Sequence, residues 1–333
     1  MVQGHRVPWE IEGYRDDFRR AEREGGFFDL SDWSAVRVHG PDARDYLQRM
    51  STIDFRTFST GEVRRGAFLT GRGQILAMGS FLECDGGYDF IVSPGQLETV
   101  LEHLEKFHFG EKLAITDASE EWALFALWNP QPGLLHALGV GGSVSPAFQR
   151  HTVFAWNTRF ELWRDDSRDR LWWVRIKRAD AIRLLKSLHD EGVGLLGQRL
   201  FEYYRILSAV PRMGCEATSH ELVLELNYDG IVARNKGCYP GQEVVERIFS
   251  YGSVNRKLFP IELVSEDGRF PEPPIRLTHE GKDAGYIASW AQVPEDMTRA
   301  VGLGFLLRKL WDTSSEISTA GGDKLQIRLK KMG

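Results

Sequence analysis

Lys236-Gly237-Cys238-Tyr239-Pro240-Gly241-Gln242-Glu243 is the stretch on which the reading of this chain turns. Gly237, Pro240 and Gly241 force a tight, irregular backbone, and helical spacing resumes over 243–248. Cys238 therefore falls just upstream of a helix N-terminus and close in sequence to Lys236. A positive helix end and a nearby ammonium both favour thiolate over thiol, which makes Cys238 a candidate reactive sulfur. The competing reading is a small buried cysteine that packs a loop onto a sheet, the commoner state of free cysteines. Spacing alone leaves both open.

Upstream of this loop, Val36-Arg37-Val38 alternates as a short strand, and Gly40-Pro41 opens a helix with proline at its first position. Ala43, Tyr46, Leu47 and Met50 are spaced for one buried face of that helix. Residues 66–81 read as a hairpin bent at Gly71-Arg72-Gly73, and 88–92 as another strand. Ser93-Pro94 then reads as cap and first position of a helix carrying Leu97, Val100, Leu101 and Leu104. A second α+β stretch begins near Trp122, with a strand over 123–128 and a hairpin of 160–164 and 171–176 around the polar turn 165–169. Two helices come next: one with Ala181, Leu184, Leu185 and Leu188 inward and Gly192 as its stop, and one over 198–208 with Leu200, Tyr204 and Leu207 as its apolar side. From residue 255 on, five short strand candidates (258–264, 275–278, 286–289, 301–306 and 325–329) are separated by Gly and Pro, which predicts a small all-β domain. The expected domains are 25–115, 116–254 (carrying the cysteine loop) and 255–333, the first two able to interleave through an N-terminal segment that completes the second sheet.

Composition limits the function. The chain has 333 residues, 42 Lys+Arg against 47 Asp+Glu, a net charge of -5 and 42% hydrophobic residues, enough to bury a sizeable core. Slight acidity argues against a nucleic-acid backbone binder. No stretch approaches the roughly 18 apolar residues of a membrane helix. The first twenty residues carry Glu10, Glu12, Asp16 and Asp17 and no apolar run, which argues against a secretory or transit signal. Three widely spaced cysteines suit a reducing compartment, so a cytoplasmic protein with neither nucleic-acid nor membrane partners is expected.

The eight residues from Lys236 to Glu243 resemble the K-G-C-Y-x-G-Q-E signature of the YgfZ family, folate-binding proteins related in fold to GcvT, the aminomethyltransferase of the glycine cleavage system. Val38-His39-Gly40-Pro41-Asp42-Ala43, Tyr46-Leu47-Gln48 and Ser51-Thr52-Ile53-Asp54 are similar to the family's opening pattern, and residues 66–75 to its next hairpin. Arg247, the basic run 254–258, and the segments 285–289 and 300–304 resemble the approach to its last domain and its barrel strands. The resemblance spans about residues 29–306, with no matched motif over roughly 115–195. It implies an α+β, three-domain GcvT/YgfZ-like arrangement, two α+β domains around a central cleft plus a C-terminal antiparallel β-barrel. It also implies tetrahydrofolate in that cleft and a role in assembly or repair of iron–sulfur enzymes, which tips Cys238 toward a functional thiol.

On this resemblance Cys238 is the working group and Lys236 biases it toward thiolate. Gly237 and Gly241 shape the loop, Tyr239, Gln242 and Glu243 support it, and Arg247 anchors it or faces an anionic partner. One thiolate cannot hold a cluster, which takes four ligands as a rule, and Cys84 and Cys215 lack the spacing of a metal run. No stably bound metal is expected, so Cys238 would act transiently: by disulfide exchange, by one-electron chemistry or as a momentary ligand. Two positions depart from the enzyme branch. The carboxylate pair of the aminomethyltransferases reads Ala77 and Met78, neither able to relay a proton, which leaves it open whether this chain is an enzyme. The family's R-x-E-x-G segment reads Arg205-Ile206-Leu207-Ser208-Ala209, keeping Arg205 as a folate-binding candidate but placing Leu207 where a glutamate reaches the pterin. Glu202, Glu216 and Glu225 are nearby substitutes. The alternatives are a folate-dependent one-carbon or aminomethyl transferase, and a non-catalytic interaction module that has lost folate.

Other candidates have plainer explanations. Gly71-Arg72-Gly73 lacks the lysine and helix of a phosphate loop. His103 and His108 read as surface histidines, Asp165, Asp166 and Asp169 as a solvated turn, and Lys177-Arg178 and Arg256-Lys257 as exposed edges. Trp156, Trp163, Trp172 and Trp173 suit cross-strand packing.

Overall fold

Short, turn-bounded segments, some alternating and others, such as 122–128, buried almost throughout, build three sheets among the described residues. The computed structural model describes residues 7–140, 148–164, 170–228, 230–311, 317–320 and 325–329; the expected turn at 165–169, with its three aspartates, lies outside them. Helix α1 (Tyr14–Arg23) leads into strand β1 (Gly26–Asp29). Strands β2 (Ser34–His39), β3 (Val63–Leu69), β4 (Ile75–Cys84), β5 (Gly87–Val92) and β6 (Ala114–Asp117) form a five-stranded sheet in the order β3-β4-β5-β2-β6, with α2 (Ala43–Met50) and α3 (Leu97–Lys106) between them in sequence. Next come β7 (Trp122–Trp128), α4 (Pro132–Ala137), β8 (His151–Ala155), β9 (Thr158–Arg164), β10 (Leu171–Lys177), α5 (Ala181–Asp190) and β11 (Leu195–Leu196). Their strands take in β1 as a six-stranded sheet ordered β11-β1-β7-β10-β9-β8. After α6 (Gln198–Leu207) and α7 (Gln242–Tyr251), strands β12 (Arg256–Ser265), β13 (Ile275–His279), β14 (Lys282–Val293), β15 (Asp296–Leu307), β16 (Ser318–Thr319) and β17 (Leu325–Leu329) complete the chain. They form an antiparallel sheet ordered β16-β13-β14-β15-β12-β17, whose two ends approach through a bridge between Ile317 and Ile327, giving a nearly closed barrel.

The chain forms two compact units. One contains Met1–Phe68, Ala77–Phe201 and Ile231–Tyr239; the other contains Leu69–Leu76, Glu202–Gly230 and Pro240–Gly333. In the first unit, Phe81 stacks on Phe90 at 4.2 Å and Phe68 meets Phe90 edge-on at 5.0 Å. Each such buried ring contributes roughly 1.5–3 kcal/mol. The helical spacing of α2 turns Ala43, Tyr46, Leu47 and Met50 inward as expected. Phe27, Phe125, Leu162 and Val174 form a second core with Leu184 and Leu188 of α5. A buried ion network ties the two sheets of this unit: Asp89 on β5 accepts from Arg37 on β2 at 2.8 Å and from Arg175 on β10 at 2.7 Å, and Arg175 also reaches Glu161 on β9 at 2.6 Å. Trp163 and Trp173 stack across β9 and β10 at 6.2 Å. In the second unit, Ile261, Leu263, Ile275, Leu277 and Ile287 fill the barrel.

Several local expectations shift. Helix α2 starts at Ala43 rather than at Pro41, because Gly40, at φ 133°, closes a turn with the Ala43 N–H first. Helix α3 starts at Leu97 rather than beside Ser93-Pro94, because Gly95 at φ 84° first turns the chain through the left-handed region. Leu207, expected on a buried side, is 41% exposed at the end of α6. His103 is not a surface histidine: burial pushes its imidazole down to about 4, with Lys106 adding to the effect, and its ring packs on Phe68 and Phe107. Arg256 is held by Glu221 and Glu225 at 3.2 Å each rather than lying on a free edge. No helix among the described residues is long and apolar enough to cross a membrane.

Candidate functional site

The cysteine loop takes its shape from the segment that ends α2. Lys236 is 2% exposed, and its ammonium donates to the backbone oxygens of Gln48 at 2.6 Å and Ser51 at 2.5 Å. These oxygens sit at the C-terminal end of α2, where unpaired carbonyls and the negative pole of the helix favour a cation. Gln48 answers in kind: its Nε2 donates to the Lys236 carbonyl at 2.5 Å, and its Oε1 accepts from the Phe55 N–H at 2.6 Å. Thr52 Oγ1 donates to the Ile231 carbonyl at 2.6 Å, the Ala233 N–H donates to the Thr52 carbonyl at 2.8 Å, and Arg56 reaches the Asn235 carbonyl at 3.2 Å. The run 231–236 is thereby fastened to 48–56 along its length.

Beyond this fastening, Gly237 and Cys238 are exposed, and Tyr239 is buried again with its ring 5.0 Å from the Lys236 ammonium. The thiol thus stands on a two-residue exposed span bracketed by two buried side chains. Lys236 does not point outward along the loop; its charge is directed to the α2 carbonyls. Burial pushes its amine down to about 7, with Asp54 pulling it back up in part and Arg56 pushing it further down.

In the second unit, Gly241 is the residue before α7 and has φ 82°. A Cβ there would meet the Thr70 carbonyl at 2.6 Å, and one on Gly73 would lie 3.3 Å from Val244, so the hairpin bend and the helix start approach too closely for side chains. Gln242 is half-buried, while Glu243 and Arg247 are exposed on α7. Glu243, in the first turn, complements the positive helix end.

Arg205 on α6 lies elsewhere in this unit and is 3% exposed. Its guanidinium donates to Glu202 at 3.0 Å, to both oxygens of Glu216 at 2.9 and 3.2 Å, and to the Val210 carbonyl at 2.7 Å. Burial works against its charge, but Glu216 and Glu202 outweigh that and hold it above the usual arginine range. Glu216 is fully buried and also accepts from the Arg212 N–H at 3.0 Å and from Ser289. Glu225 is paired with Arg256 and accepts from the Leu222 N–H at 3.1 Å. All three substitute glutamates are therefore engaged in ion pairs, and Leu207 offers no acceptor. The residues of this α6 region do not fit a pterin's N–H edge as they stand. Ala77 is fully buried and Met78 half-buried on β4. Among the described residues, no group of three or more His, Cys, Asp or Glu is placed to hold a metal.

Sequence reasoning assigned no role to Gln48 or Arg56. The only signal for Gln48 was its place in the Tyr46-Leu47-Gln48 pattern.

Comparison with known proteins bears on the fold. The GCVT N-terminal domain matches residues 2–138. An aminomethyltransferase of Shouchella clausii is 24% identical over 98% of this chain and 91% of its own length. A protein of Vibrio atlanticus named tRNA-modifying protein YgfZ is 24% identical over 85% of this chain and 84% of its own. The crystal structure of the glycine cleavage system aminomethyltransferase T from Bartonella henselae superposes with a TM-score of 0.81 at 19% identity, covering 99% of this chain and 91% of that one. The fold is thus that of the aminomethyltransferases, mixed α/β with an antiparallel barrel. Over most of its length the chain is thus similar both to aminomethyltransferases and to proteins named YgfZ.

Proposed function

We propose that this chain is a cytoplasmic accessory protein that supports the assembly or repair of iron–sulfur enzymes, with Cys238 as its working group and a reduced folate as its ligand. The observation that carries this reading is the exposure of Cys238 on a span whose neighbours, Lys236 and Tyr239, are both buried. A packing cysteine would have the opposite arrangement. The thiol acts transiently on an iron–sulfur partner, since no neighbouring ligand set completes a site around it among the described residues. Folate takes no part in the step assigned to Cys238. Its pterin would need an acceptor freed from an existing ion pair, and Glu202, at 15% side-chain exposure against 0% for Glu216 and 9% for Glu225, is the most accessible. The name of the Vibrio relative is accommodated if the enzymes served act on tRNA. Aminomethyl transfer is disfavoured, because the buried methyl of Ala77 and the thioether of Met78 neither take nor give a proton.

The test is complementation in cells lacking the protein. Cys238→Ala is expected to fail to restore iron–sulfur enzyme activity, while Cys84→Ala and Cys215→Ala restore it; full rescue by Cys238→Ala removes the thiol from the function. Folate binding is checked separately through tryptophan fluorescence, corrected for absorbance. Tetrahydrofolate is expected to quench saturably, and a linear response up to millimolar ligand argues for a module without folate.

A further inference from the structure

We propose that Gln48 is a positioning residue for Cys238, acting through a reciprocal clamp with Lys236 that sets how the exposed thiol is presented. This rests on the reading of Cys238 as the working group and adds the device that holds it. Gln48 and Lys236 are 188 residues apart in sequence, yet each gives a side-chain donor to the other's backbone oxygen. The Gln48 side chain works at both ends, donating to the loop through Nε2 and holding the chain after α2 through Oε1 on the Phe55 N–H. That double duty requires an amide: a carboxylate of the same shape keeps the acceptor and loses the donor. Lys236 adds a second grip, on the Ser51 carbonyl at 2.5 Å.

One residue, Gly237, separates the clamp from the sulfur-bearing residue, and Tyr239 is buried directly after it. Gly237 adopts φ 98°, a region that L side chains rarely enter. With the backbone fixed on both sides of a two-residue span, the direction in which Cys238 faces solvent depends on where the Lys236 carbonyl is held. Loss of the clamp leaves the Lys236 carbonyl unheld, so residues 236–238 sample more orientations between the fastenings that remain at Asn235 and Tyr239.

The experiment measures the iodoacetamide rate of each cysteine across pH, by peptide mass spectrometry on the full chain, for wild type, Gln48→Glu, Gln48→Ala, Lys236→Met and the Gln48→Glu/Lys236→Met pair. The rate of Cys238 is expected to move toward that of an unstructured cysteine peptide, by on the order of threefold or more. Cys84 and Cys215 are expected to stay unchanged, and the double variant to go no further than Lys236→Met alone. If Gln48→Ala does not fold, Gln48→Glu, which keeps the bond to Phe55, carries the test. Unchanged Cys238 behaviour in folded Gln48→Glu overturns the proposal, as does a parallel change at all three cysteines, which marks general loosening. No client enzyme enters this readout, so its failure leaves the complementation experiment standing, and failed complementation leaves the clamp standing.

Discussion

Lys236 shows how one residue carries both structural and electrostatic information. Its ammonium is withdrawn from water to meet two carbonyl oxygens, and burial lowers its proton affinity to about 7 from the ordinary 10.5. Between those values the unfolded chain holds a proton that the folded chain has shed, so this group makes the folded state more stable as pH rises from about 7 to about 10.5, and flat below. The difference in unfolding free energy between wild type and Lys236→Met is therefore expected to grow over that range. Urea unfolding at several pH values checks this, and a difference that is level or falls with pH contradicts the assignment. At this scale the sequence singled out the loop around Cys238, but it placed the lysine's charge toward the sulfur. The geometry sends that charge to the end of α2, because helix-terminal carbonyls supply the stronger local demand for a cation.

Among the elements, α2 and α7 were legible because their apolar residues recur at helical spacing and their ends carry turn-forming residues. The short strands β6, β8 and β16 were not: β6 and β16 span only four and two residues, and β8 carries Phe154 on its exposed side, so apolar alternation does not mark its buried face. Helix α6 was found, but its role was not. Five of its residues besides Leu200 are buried, Arg205 among them, and Arg205 and Glu216 join the helix to the 210–217 loop and, through Ser289, to β14. Removing the carboxylate alone leaves a buried guanidinium short of its partner. Glu216→Ala is therefore expected to lower stability by about 3–5 kcal/mol, and the paired Arg205→Met/Glu216→Leu replacement to recover much of that loss. Urea denaturation distinguishes the cases; a double variant no better than the single one argues that packing, not charge, dominates there.

On the scale of the whole molecule, β1 is separated from its sheet partners by the entire five-stranded sheet in sequence, yet it pairs parallel to β11 and antiparallel to β7. The strand is too short for its own residues to choose between partners; the partners are chosen by which apolar faces must be covered together. The Asp89–Arg175 contact between the two sheets of the first unit has the same origin, since neither residue carries a local cue for the other. The sequence by itself determined the element types wherever periodicity was strong, the barrel-like character of the last segment, and the loop that bears Cys238. Those are properties of neighbours along the chain, written in spacing and in turn residues. Only the tertiary structure decided that Lys236 faces inward, that Gln48 holds it, and that Arg205 and its glutamates are bound to one another. Those outcomes depend on which distant groups burial brings within hydrogen-bonding distance, and short-range pattern contains no record of that.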